Sequence, residues 1–202
     1  MLFRSQVGHE KRTITLYPTG AGEKRTVQTD DLEPQGAGSF TPDGRTLVFT
    51  ANEPGHGSRI FVAELAGGKP RALTPEGYRS FTRGVSPDGK GVLAIGPDRK
   101  RYLYPLSGGE PTVVRGLSEE DTPSGWGSDS GHLYVFRRRD IPGRLYKLDV
   151  ATGRRELARE VMPADGAGIV DIAPILATPD GSSYVYGFSR TLSDLYLVEG
   201  LK

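Results

Sequence analysis

Few residues of this chain could do chemistry, and those few are scattered. Gly127-Ser128-Asp129-Ser130-Gly131 has the outline of a serine-hydrolase elbow, but such an elbow needs serine at its centre and here the centre is Asp129. The three histidines, His9, His56 and His132, are far apart and none stands at metal-ligand spacing. They read as exposed loop or strand-face residues. There is no cysteine, which removes disulfides, thiolate metal sites and cysteine nucleophiles together. Gly20-Ala21-Gly22, Gly36-Ala37-Gly38 and Gly166-Ala167-Gly168 lack the following helix that a phosphate-binding loop requires, and are expected to link strands. The expectation is a chain with no catalytic residue, no metal and no cofactor.

Charge narrows the partners. Twenty-six basic residues against 25 acidic ones leave a formal charge of +1, so no electrostatic case exists for nucleic acid. The densest basic run, Arg137-Arg138-Arg139-Asp140, reads as a solvated loop partly neutralised by Asp140, with contact to an anionic partner as its functional alternative. No apolar run approaches the ~18 residues of a membrane span, so no membrane insertion is expected. Glycine and proline, 28 and 15 residues, make up about a fifth of the chain and call for many turns.

Those turns recur. Phe40-Thr41-Pro42-Asp43-Gly44-Arg45-Thr46-Leu47-Val48-Phe49 returns as Val85-Ser86-Pro87-Asp88-Gly89-Lys90-Gly91-Val92-Leu93-Ala94 and as Ala177-Thr178-Pro179-Asp180-Gly181-Ser182-Ser183-Tyr184-Val185-Tyr186. A looser copy, Trp126 to Phe136, carries Asp129 and Gly131, with one residue inserted before the glycine. The turn glycines Gly44, Gly89, Gly131 and Gly181 are separated by 45, 42 and 50 residues, close to the ~40–50 residues of a four-stranded propeller blade. Proline presets the first corner, aspartate tolerates the second and glycine supplies positive φ, which predicts a three-residue hairpin with a bulge.

A second strand recurs about 15 residues after each turn, at Arg59–Leu65, Arg101–Leu106, Arg144–Asp149 and Asp194–Glu199. In three of the four cases a short strand follows a glycine turn, so each period holds four strands, a to d, in up-and-down order. The predicted fold is all-β, a β-propeller with about three complete blades and two incomplete terminal ones. The blades fall at about 1–30, 36–76, 82–116, 122–160 and 169–202. Above half of the residues should be strand, and Ser118-Glu119-Glu120-Asp121 should form one helical turn at most.

At Ser86-Pro87-Asp88-Gly89-Lys90 the chain resembles the TolB-like family of bacterial propellers, and Tyr186 to Leu201 looks like the end of propellers fused to bacterial eukaryotic-like serine/threonine kinases. The resemblance implies a scaffold that binds partner proteins, in the periplasm or otherwise outside the cytoplasm. Its usual binding face, formed by the b–c and d–a connections, would here offer His56, Tyr78, Arg79, Asp98, Arg99, Glu120 and Arg139. Mixed charge with an aromatic suits protein recognition.

Two incomplete end blades suggest part of a larger propeller, and exposed blade faces would then favour self-association. Two rivals remain open. One is the gating propeller of a prolyl-oligopeptidase-like serine hydrolase, and the other a ligand- or glycan-binding propeller.

Overall fold

The computed structural model describes residues 2–7 and 12–193. His9 and the strand expected at Asp194–Glu199 lie outside the described residues. About half of the chain is strand, and the described residues contain no helix.

The strands form successive antiparallel sheets in chain order. The first holds β1 (Leu2–Val7), β2 (Arg12–Tyr17) and β3 (Arg25–Val27). Three four-stranded sheets follow. The second is β4 (Glu33–Phe40), β5 (Thr46–Asn52), β6 (Ser58–Glu64) and β7 (Arg71–Ala72). The third is β8 (Arg79–Val85), β9 (Gly91–Ile95), β10 (Arg101–Pro105) and β11 (Thr112–Val113). The fourth is β12 (Asp121–Trp126), β13 (His132–Arg137), β14 (Gly143–Asp149) and β15 (Arg155–Val161). The fifth pairs β16 (Ile169–Ala177) with β17 (Tyr184–Arg190). The first strands of neighbouring sheets, β4, β8, β12 and β16, contact one another in series, which makes them the inner strands of a β-propeller.

Burial explains why the b strands β5, β9 and β13 carry apolar runs. A blade is covered on both faces, so alternate residues enter different cores. Leu47, Phe49 and Ala51 of β5 join Ile14 and Leu16 of the first sheet, while Val48 between them faces Val92 and Ala94 of the third. Leu93 turns the other way, toward Leu133 and Val135, and Tyr134 and Phe136 pack on Ile172 and Ile175 of the fifth sheet. Each of these cores is thus an interface between two sheets.

The recurring turn is wider than its sequence suggests. Thr41 N–H donates to Thr46 carbonyl at 2.9 Å, and Ser86 to Gly91 and Thr178 to Ser183 repeat this at 2.8 and 2.9 Å, so four residues, not three, lie inside each closing pair. The closing residue's hydroxyl completes the pair. Ser86 Oγ accepts the Gly91 N–H at 3.0 Å and donates to Asp88 Oδ1 at 2.6 Å, while Asp88 also accepts the Lys90 N–H at 3.0 Å. Thr41 with Asp43, and Thr178 with Asp180, do the same. These donated hydrogen bonds, the hydroxyl's foremost, hold all three aspartates below the usual carboxylate range.

Gly44, Gly89 and Gly181 take φ of 68°, 69° and 71°, as their places in the turn require. Gly131 does not share this role. In the fourth turn Gly127 closes on His132 at 2.9 Å, so Ser130 stands where the other copies have the positive-φ glycine, with no residue inserted, and neither Ser130 nor Gly131 has positive φ. Asp129 keeps its part by accepting the Gly131 N–H at 3.1 Å and His132 Nδ1 at 2.8 Å.

The hydroxyl's contribution is measurable. Ser86 is buried, so Ser86→Ala leaves the Gly91 N–H without its acceptor and should cost about 1–2 kcal/mol in urea unfolding. Ser86→Thr should be near neutral, since threonine serves at Thr41 and Thr178. Equal midpoints for the alanine variant and the parent would show that the hydroxyl is dispensable.

Candidate functional site

The inner strands are irregular where they face the propeller axis. Pairing slips between Gln35 and Ser39 in β4, between Ser80 and Val85 in β8, and between Pro123 and Gly125 in β12. Gly36-Ala37-Gly38, expected as a linker between strands, lies inside β4 at one of these bulges. Bulges re-aim side chains and free backbone groups from the ladder. Those groups bond across blades instead: Gly84 N–H donates to Ser39 Oγ at 3.1 Å, Trp126 Nε1 donates to Gly84 carbonyl at 2.9 Å, and Ser124 Oγ donates to Ile175 carbonyl at 2.7 Å. Gly84 is tightly enclosed, since a Cβ there would stand 2.8 Å from the Phe81 carbonyl and 3.0 Å from that of Leu93.

Between the bulges and the a–b turns lies a cavity of about 740 Å³ bounded by all four inner strands. Phe40, Val85, Pro87, Trp126, Ala177 and Pro179 give it an apolar wall, with Ser39, Thr82 and Ser128 as hydroxyl donors and acceptors. Arg83 is the single ionisable residue in the lining. Its backbone has φ of 59°, a left-handed conformation that costs a non-glycine residue roughly 1 kcal/mol or more. The guanidinium is exposed and forms no ion pair with any carboxylate of the described residues, whereas Arg99, Arg137, Arg138, Arg155 and Arg190 each do.

The residues expected from the sequence sit at the other end, where the b–c and d–a connections emerge. His56 Nδ1 lies 2.7 Å from Glu76, whose carboxyl is held low by the Gly57 N–H and then by His56. Tyr78 meets Tyr102 and Tyr104 edge-on, each at 5.7 Å, and Tyr102 donates to Asp98 at 2.9 Å, which brings Tyr78 and Asp98 into one group. Arg99 pairs with Glu119 at 2.8 Å and Glu120 with Arg137 at 3.4 Å. Arg139 donates its N–H to Asp171 at 2.9 Å, and Arg79 opens β8 opposite Ile95. Most of these groups are engaged in bonds that tie connections together. None lines the axial cavity.

Beside Glu120 the structure buries a charge that the sequence reading passed over. The side chain of Asp121 is 1% exposed. It accepts Arg137 Nε at 3.0 Å, Arg155 Nη1 at 3.0 Å, the Ser118 N–H at 2.7 Å and Ser118 Oγ at 2.8 Å, with a further short contact from Arg155 Nη2. Burial pushes its pKa up, but the bonds from Arg155, Ser118 and Arg137 prevail and hold the carboxyl far below the usual range. Arg155 also donates to Gly116 carbonyl at 2.9 Å. This cluster is a structural clasp with every lone pair engaged. Among the described residues no group of three or more histidine, aspartate or glutamate side chains is placed to hold a metal.

Comparison with known proteins agrees with the fold and divides on activity. No family model matches the chain. It is 30% identical over 133 residues, 57% of its length, to the uncharacterized peptidase YuxL of Bacillus subtilis, of which it spans 19%. Among solved structures it superposes on TolB of Acinetobacter baumannii with a TM-score of 0.60 at 17% identity, covering 89% of this chain and 49% of that one. It also superposes on oligogalacturonate lyase of Vibrio parahaemolyticus with a TM-score of 0.57 at 18% identity, covering 94% and 53%. The chain thus spans about half the length of these two propellers and about a fifth of the curated relative. The shared class is the β-propeller, on which both enzymes and binding proteins are built.

Proposed function

We propose that this chain is a non-catalytic binding propeller that recognises a protein partner through its axial cleft. The lining of that cleft carries the reading: one cation, three hydroxyls and an apolar wall, with no carboxylate, histidine or cysteine to act as base or nucleophile. Such a surface holds a ligand without turning it over. The sequence resemblance supports placing the module in a larger envelope or receptor-kinase protein, outside the cytoplasm.

A second reading is favoured by the identity with YuxL, in which the blades gate the active site of a serine peptidase and the catalytic residues reside elsewhere. The two differ in retention. A scaffold should hold peptides with micromolar affinity on an array, while a gate that passes substrate should hold none. Under both readings a fluorophosphonate serine probe should leave this chain unlabelled. Labelling that disappears when one serine is changed to alanine would make it an enzyme.

A further inference from the structure

We infer that the axial cleft takes an extended peptide carrying a carboxylate next to an apolar side chain, with Arg83 receiving the carboxylate. This rests on the binding reading above and names its ligand. Three observations converge on it. Arg83 is exposed at the cleft and has no carboxylate partner among the described residues, so its hydrogen-bonding fork is free for a bidentate acceptor.

The backbone at Arg83 takes φ of 59°, and no other non-glycine residue of the cleft lining has positive φ. Strain retained at a ligand-facing position marks a residue kept for what it contacts. In the same lining, Phe40, Val85, Pro87 and Pro179 offer apolar edges to a side chain next to the charge, and Thr82 and Ser128 offer exposed hydroxyls to a peptide backbone.

An acidic oligosaccharide fits less well. Sugars are gripped by an open aromatic face, and of the two aromatic residues in the lining Trp126 is 7% exposed with its ring N–H committed to the Gly84 carbonyl, while Phe40 is half-buried.

Trp126 is the only tryptophan and lies in the cleft wall, so its fluorescence reports occupancy. The probes are two pools of acetylated, amidated hexapeptides, one with a single carboxylate flanked by apolar residues and the other with the amide in its place, and a trimeric galacturonate. The carboxylate pool should change Trp126 emission saturably, and the amide pool should bind about tenfold more weakly. Arg83→Gly relaxes the backbone, so it should melt no lower than the parent yet lose that tenfold preference. Arg83→Asn, which tolerates the same conformation, is the second variant and should behave alike.

Equal binding of both pools, unaffected by either variant, would overturn the carboxylate assignment and leave the binding reading standing. An Arg83-dependent response to the galacturonate alone would overturn the peptide assignment. No response of Trp126 to any probe would overturn both.

Discussion

Asp121→Ala should destabilise the fold by about 3–5 kcal/mol, because removing one member of a buried ion cluster leaves its partners uncompensated. Arg137 and Arg155 would lose their shared acceptor, and both Ser118 donors would lose theirs. For a chain of this size the melting midpoint should fall by roughly 6–20 °C. Asp121→Asn keeps the shape and removes the charge, so it isolates the electrostatic part.

The sign of the pH dependence follows from the direction of the shift. The folded pKa lies below the ordinary value of 3.8, so the carboxylate's contribution is fully present above about pH 4 and is lost as pH falls toward the folded value. The stability gap between parent and Asp121→Asn should therefore be constant from pH 7 to about 5 and shrink below 4. A gap that stays constant down to pH 2 would mean that the carboxyl titrates alike in the folded and unfolded chain, and a parent that gains on Asp121→Asn as pH falls from 7 to 4 would mean that Asp121 is not ionised in the folded protein. The surface pair Arg144–Glu160, at 3.1 Å, is the contrast, and Glu160→Ala should leave the midpoint within error.

Asp121 also marks where sequence reading stopped. Repetition in the chain is local chemistry: proline, aspartate and glycine specify a turn within a few residues, and the apolar runs of β5, β9 and β13 follow from burial on both faces. Those features were legible because each depends on near neighbours. The hydroxyls of Thr41, Ser86 and Thr178 were visible in the repeat, yet their role as the closing acceptor needed the register. Gly131 misled because it is a glycine close to the expected position, while the closing pair Gly127–His132 places Ser130 there.

The cleft was not legible at all. Bulges in β4, β8 and β12 depend on how the inner strands crowd one another, and no local pattern announces them. Arg83 reads in the sequence as one of 26 basic residues; Arg139 shares its positive φ and its lack of an ion pair among the described residues, and only the place of Arg83 in the cleft lining sets it apart. Glu120 was singled out for its charge in a connection, but its neighbour Asp121 is the buried one. Two adjacent acidic residues on a strand entry point to opposite sides, and which side is the core cannot be known before the sheet is placed.

The same two-sided burial makes the consequence of a core substitution local. Phe49 is 1% exposed and stacks on Phe61 with ring centroids 6.0 Å apart, in the core that joins β2 to β5 and β6. Phe49→Ala should cost about 3–5 kcal/mol, the lost transfer energy plus the cavity left behind. Val185, 63% exposed, lacks such packing, so Val185→Ala should change stability by less than about 0.5 kcal/mol. Each core spans one interface, so stability in such an array is close to a sum of blade and nearest-neighbour terms. The loss should then fall where the aromatic pair was. Amide exchange in Phe49→Ala should accelerate in β2, β5 and β6, while β13 and β14, which share no core with Phe49, keep most of their protection. Acceleration of equal size in all the sheets would show that the blades unfold as one cooperative unit, and the nearest-neighbour description would fail.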